Sequence, residues 1–165
     1  MEWIKHIARY VVIMLVQVLL ISNLQVLGLC HPYIYIICLL MMPITLPIWA
    51  EMIIGALAGL VMDIFCNTMG VHMAACVLLM YLRRIFIPRL VFEPERLNDT
   101  IDSNSLGIEA FLKYSIVLTI IHHTTVQLLS AWSFSHIWWT ILSSIVSSLV
   151  SLVLIFLYDR LRTQK

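Results

Sequence analysis

Charged residues are scarce in this sequence of 165 residues, where Asp, Glu, Lys and Arg together make up only 12%. A soluble domain typically carries about twice that fraction. At the same time 62% of the residues are hydrophobic, and several apolar runs reach the ~20 residues needed to cross the hydrocarbon core of a bilayer. The alternating polarity of transmembrane β-strands is missing as well. The composition therefore predicts an all-α integral membrane protein.

Motifs for nucleotides, zinc and nucleic acids are also missing. The chain has no glycine-rich phosphate-binding loop, no G-x-S-x-G elbow and no basic tract, and its formal net charge is only +1. Its four cysteines, Cys30, Cys38, Cys66 and Cys76, lack C-x-x-C spacing. Cys30 and Cys66 would lie near one membrane face, which allows a disulfide, but buried free thiols are the favoured interpretation. We expect no enzymatic activity, no cofactor and no nucleic-acid partner.

Six hydrophobic segments are candidates for membrane spans. They cover residues 7–29, 33–49, 49–65, 71–87, 109–129 and 137–158. Pro43 and Pro47 are expected to kink or end the second span. The polar region at 88–108 is predicted to be a loop that includes a surface helix. The sequence thus predicts a six-transmembrane-helix bundle that forms a single membrane domain over residues 1–165.

The basic residues test this count of spans, because six spans place both chain termini on one side of the membrane. All ten basic residues then fall on that side: Lys5, Arg9, Arg83, Arg84, Arg89, Arg96, Lys113, Arg160, Arg162 and Lys165. If the third and fourth spans were a single span, the basic cluster at 83–96 and the basic tail would lie on opposite sides of the membrane. By the positive-inside rule we expect a multi-pass protein with cytoplasmic N- and C-termini.

The third span combines small residues with an acid. Gly55, Gly59 and Asp63 follow one another at intervals of four residues and share one helix face. The glycines predict close helix packing, and a carboxylate inside the bilayer costs at least ~2.5 kcal/mol. Three interpretations of Asp63 remain: a cap on the turn at 67–70, a contact for a partner helix, or a proton or ion site. The proton or ion site is disfavoured, because the other acids near predicted spans, Glu51 and Glu109, lie at the cytoplasmic ends of those spans.

Histidines and serines offer a second set of candidates. His72, His122, His123 and His136 suggest a metal site, but adjacent histidines on a helix point about 100° apart and cannot both face one metal. Histidines satisfied by interhelical hydrogen bonds are therefore favoured. The last span carries a stripe of small residues suited to close helix packing, which consists of Ser144, Ser147, Ser148 and Ser151.

The centre of the chain carries a family resemblance. Gly59-Leu-Val-Met-Asp63 is followed by a turn with Met69-Gly70-Val71 and by an apolar helix that closes in Tyr81-Leu-Arg-Arg84. This pattern resembles the rod shape-determining protein MreD family, which shows a glycine-rich helix, an Asp, a turn with Gly and a helix ending in aromatic and basic residues. The chain length, the six predicted spans, the basic start and the short basic tail reinforce the resemblance.

The resemblance implies a non-enzymatic scaffold in the bacterial inner membrane that serves cell-wall elongation, lateral peptidoglycan synthesis and cell shape. Proteins of this family act with MreC, a membrane-anchored periplasmic protein, and are linked to RodA, a class B penicillin-binding protein and MreB filaments. The implied fold is similar to the six-helix substrate-binding subunit of energy-coupling-factor transporters. We expect Gly55, Gly59, Asp63 and Gly70 to serve partner binding or helix packing.

The alternative is a substrate-binding membrane subunit of a vitamin or metal transporter. Such subunits usually dock their coupling module through an Ala-x3-Ala pattern in the first span. Here that span offers only Ala8, at its edge. Tight binding of a vitamin by the purified chain would favour this alternative over the scaffold.

Overall fold

The computed structural model describes residues 2–21, 30–90, 101–131 and 137–163. Helix α1 covers Glu2–Val16 and continues as a π-helical turn at Gln17–Ile21. The helices that follow are α2 (Ile36–Leu40), α3 (Ile48–Cys66), α4 (Val71–Leu90), α5 (Ser103–Leu106), α6 (Ile108–Ser130) and α7 (Ile137–Thr163).

Three of these helices are long and apolar enough to cross a membrane: α3, α4 and α7, over Ile48–Cys66, Val71–Arg89 and Ile137–Arg162. The prediction of a helical membrane protein is confirmed at this level. Helix α6 has the bounds expected for the fifth span but is not among these three helices. Ile7–Ile21 forms a shorter apolar helix, and the rest of the first predicted span, 22–29, lies outside the described residues.

The second predicted span, 33–49, is not a membrane-crossing helix. Between residues 33 and 47 only Ile36–Leu40 is helical, and Pro47 directly precedes α3. We call residues 30–47 the interior segment, because every residue from Tyr35 to Met42 is at most 6% exposed. A stretch that is apolar on all sides can be buried in a protein core as well as in lipid. Here it fills the centre of the bundle.

The basic residues of the described part gather at one end of the bundle. Arg9 on α1 lies beside Tyr158 and Arg162 near the end of α7. Arg83, near the end of α4, pairs with Glu51 at the start of α3. The beginning of α1 and the end of α7 therefore lie at the same end, which we call the basic end. Arg96 and Lys165 lie outside the described residues.

Helices α3 and α4 form a closely packed hairpin in which glycines let the two backbones approach. A Cβ atom built on Gly59 would lie 2.4 Å from Met73 Cα and 2.6 Å from the His72 carbonyl oxygen. One built on Gly55 would lie 2.7 Å from Cγ of the Met80 side chain. The glycine face of α3 is thus covered by α4 of the same chain.

This packing predicts a graded response to alanine. Gly59→Ala is expected to lower the stability by about 1–3 kcal/mol, because its new methyl group meets a backbone that cannot move aside. Gly55→Ala should cost less, because the flexible Met80 side chain can shift and the nearest backbone atom, the Cys76 carbonyl oxygen, would lie 3.2 Å away. Thermal unfolding of the purified chain in detergent measures both effects. Equal melting temperatures for the two variants would contradict the close approach at Gly59.

Candidate functional site

Side chains from the π-helical turn after α1 and from α7 hold the backbone of the interior segment in its first half. Gln17 bonds to the carbonyl of Pro32 and the amide of Ile34, and Ser147 and Ser151 accept from the amides of His31 and Tyr33, at 2.7–3.2 Å. Irregular backbone at membrane depth requires such partners, because no water is available there. The serine stripe, predicted to serve close helix packing, thus also supplies acceptors to the interior segment.

The second half of the interior segment is held by α4 and α6. The carbonyl of Leu40 accepts from the Tyr114 hydroxyl at 3.0 Å. The carbonyls of Met42 and Leu46 accept from Arg83 and Arg84. The two arginines that close the family-like pattern therefore hold the interior segment at its basic end.

Glu51, Arg83 and Arg84 form an ion-pair cluster at the basic end. Arg83 Nη1 lies 3.0 Å from Glu51 Oε2, and both side chains are fully buried. Arg84 Nη2 lies 3.3 Å from Glu51 Oε1 and is partly exposed. Arg83 also donates from Nε to the Tyr114 hydroxyl at 3.1 Å. Because buried charges are costly unless they are paired, these contacts fix α3, α4 and α6 relative to one another.

Asp63 lies near the end of α3 and caps the start of α4. Its Oδ1 accepts from the Thr68 hydroxyl and, at 2.9 Å, from the backbone amide of His72. Its Oδ2 accepts from the amide of Met73 at 2.9 Å. The first amides of a helix lack partners within the helix and favour negative charge. Of the three interpretations of Asp63, the structure shows the turn cap.

The turn between α3 and α4 depends on two residues with positive φ. Asn67 ends α3 at φ 54°, and Gly70 precedes α4 at φ 80°. A Cβ atom on Gly70 would meet nothing closer than 3.8 Å, so the backbone conformation rather than space requires glycine there. Gly55, Gly59, Asp63 and Gly70 all act within the α3–α4 hairpin. The face expected to receive a partner helix is occupied by the chain's own α4.

Two histidines of α6 point to different partners, as expected for adjacent residues on a helix. His122 Nε2 lies 2.8 Å from the Tyr35 hydroxyl, which also lies 3.3 Å from His72 Nδ1. His123 Nε2 lies 2.9 Å from Ser151 Oγ. The predicted interhelical hydrogen bond is present for His123, which links α6 to α7, whereas His122 and His72 meet at the Tyr35 hydroxyl of the interior segment. The described residues contain no group of three metal-binding side chains, and His136 lies outside them.

A cavity of about 590 Å³ opens at the end of the bundle opposite the basic end. It lies between the end of α1, the start of the interior segment, the α3–α4 turn and the end of α6. Its polar lining includes His31, Tyr33, Thr68, His72 and Gln127, and none of the described lining residues is Asp, Glu, Lys or Arg. The volume is typical of small-molecule sites. Sequence reasoning missed this cavity, because its lining comes from four separate parts of the chain.

All four cysteines are free thiols, so Cys30 and Cys66 form no disulfide.

Comparisons with protein-family models, curated proteins and solved structures gave no match. What the site does must therefore follow from the chemistry of its own residues.

Proposed function

We propose that this protein is a non-enzymatic scaffold of the bacterial cell-elongation machinery that maintains cell shape by binding an MreC-like membrane-anchored protein. The observation that carries the proposal is the bonding of Asp63. Both of its carboxylate oxygens accept hydrogen bonds that hold the α3–α4 hairpin together. A carboxylate used in this way supports an architectural role and disfavours ion transport.

The other residues of the family-like pattern support the same role. Gly59 brings α3 and α4 together, and Arg83 and Arg84 hold the interior segment at the basic end. A rigid bundle of this kind presents fixed outer faces to the bilayer. Because α4 covers the glycine face, we propose that a partner helix binds one of the exposed apolar faces. The outer side of α3 offers Trp49, Ile53, Leu57 and Ile64, which are 52–68% exposed.

The proposed setting is the bacterial inner membrane with both termini in the cytoplasm. The gathering of Arg9, Arg83 and Arg162 at one end supports this orientation through the positive-inside rule. The end with the α3–α4 turn would then face the periplasm, where the MreC-like partner has its main domain. Links to RodA, a class B penicillin-binding protein and MreB filaments are part of the same proposal and come from the family resemblance.

Complementation tests the scaffold function. The chain is expressed with the MreC-like protein of its own source organism in a rod-shaped bacterium depleted of its own pair. We expect rod shape to return with the native chain, and the MreC-like protein to co-purify with it. Asp63→Ala should abolish both effects, because it disrupts the hairpin. Met69→Ala, in the same turn but at a side chain that is 94% exposed, is the matched control and should behave like the native chain.

Cell width measured by microscopy and the amount of co-purified partner are the two readouts. A native chain that reaches the membrane in normal amounts but neither binds the partner nor restores rods would refute the scaffold proposal. If Asp63→Ala restored rod shape as fully as the native chain does, the role given to the hairpin would be refuted.

A further inference from the structure

The lining of the cavity opposite the basic end combines an apolar wall with neutral polar groups. Val18 and Leu19 from the π-helical turn and Phe65 from α3 supply apolar surface. His31 and Tyr33 from the interior segment add groups that can donate or accept hydrogen bonds. Small-molecule sites are built in this way, from apolar walls and a few placed polar groups.

Tyr33 is held rigidly at this cavity. Its backbone amide donates to Ser151 Oγ at 2.9 Å. Its ring stacks on His123 with centroids 4.9 Å apart and meets the edge of His72 at 5.0 Å. The residue is 9% exposed, and its hydroxyl makes no hydrogen bond to the described part of the chain. A polar group fixed in this way is ready to bond to a molecule in the cavity.

Two histidines add further free positions. His72 uses Nδ1 for its contact with the Tyr35 hydroxyl, and its Nε2 bonds to no residue that the structure describes. The ring of His31 likewise makes no hydrogen bond to the described residues, although its backbone amide is held by Ser147. The cavity thus presents three polar groups, the Tyr33 hydroxyl, His72 Nε2 and the ring of His31, that make no hydrogen bond to the described residues.

We propose that this cavity binds an uncharged small molecule that contains a ring and carries hydrogen-bonding groups on one side. The ring would pack against Phe65 and Leu19, and the polar side would bond to Tyr33 and His72. An anionic molecule would lose its hydration without gaining an opposite charge, because none of the described residues that line the cavity is Lys or Arg. The site is independent of the scaffold function and would serve a transporter subunit equally well.

Binding by matched pairs of compounds tests the proposal. The purified full-length chain in lipid nanodiscs is dialysed against riboflavin and flavin mononucleotide, adenosine and adenosine monophosphate, and nicotinamide and nicotinate. Each pair shares a ring system and differs in charge. We expect at least one uncharged member to bind saturably, and about tenfold or more tightly than its charged counterpart.

Tyr33→Phe then locates the binding. It keeps the ring packing and removes only the hydroxyl, so a fivefold to tenfold loss of affinity is expected, about the value of one hydrogen bond. Tyr81→Phe makes the same change on an exposed part of α4 and should leave the affinity unchanged. The proposal is overturned if no uncharged member binds at millimolar concentration, if charged members bind equally well, or if Tyr33→Phe has no effect. None of these outcomes would alter the complementation result.

Discussion

Arg83→Met is expected to lower the folding stability by about 3–5 kcal/mol, because it leaves the buried Glu51 carboxylate without its main partner. The carbonyl of Met42 and the hydroxyl of Tyr114 lose a donor at the same time. Arg84 remains 3.3 Å from Glu51, which places the loss towards the lower end of that range. Thermal unfolding and SDS-induced unfolding of the purified chain measure it.

Lys113→Met is the matched control for this prediction. Lys113 pairs with Glu109 at 2.6 Å, but both side chains are largely exposed, so the change should be small. The double variant Glu51→Gln with Arg83→Met should lose less than the two single variants together, because it leaves no fully buried charge unpaired. A loss for Arg83→Met no larger than for Lys113→Met would show that the buried pair does not stabilise the fold.

Asp63→Ala is the second variant with a large expected effect. It removes three hydrogen bonds from one buried carboxylate, two of them to the first turn of α4. Charge-assisted bonds contribute about 1.5–3 kcal/mol each and are not additive, so we expect a total loss of about 3–4 kcal/mol. Hydrogen exchange should show the damage locally, with faster exchange of the His72 and Met73 amides than in the native chain.

Asp63→Asn tests whether the cap needs a carboxylate or only a polar side chain at this position. The Asn side chain keeps one acceptor oxygen, but its NH2 group is a donor and cannot accept from an α4 amide. The stability of Asp63→Asn should therefore lie between those of the native chain and Asp63→Ala. If Asp63→Ala and Asp63→Asn were equally stable and the amides of α4 exchanged at native rates, Asp63 would not be the cap.

The sequence predicts the bounds of α3, α4, α6 and α7 to within a few residues, because hydrophobic length and turn residues determine them together. It fails for the interior segment. Hydropathy measures whether a residue avoids water, and a residue in a protein core avoids water as well as one in lipid. The prolines Pro43 and Pro47 indicate a broken helix, but only the contacts of Gln17 and Arg83 reveal that other helices surround it.

The candidate site was predictable in part. The spacing of Gly55 and Gly59 identifies a packing face, but a repeat of small residues does not tell whether the chain's own helix or a partner covers it. The cluster of Glu51 with Arg83 was missed although the sequence contains its signal. The two residues are equally far from Asn67 along the chain, so an antiparallel hairpin that turns there brings them to the same level.

The bonds from α7 to the interior segment have a consequence for how the protein is made. A chain is synthesised from its N-terminus, yet the amides of His31 and Tyr33 receive their acceptors from Ser147 and Ser151, 116 and 118 residues later. Until α7 has entered the membrane, these polar groups have no partner there. Helix α7 is made after the segment that it holds, so the interior segment reaches its final bonding only late in synthesis.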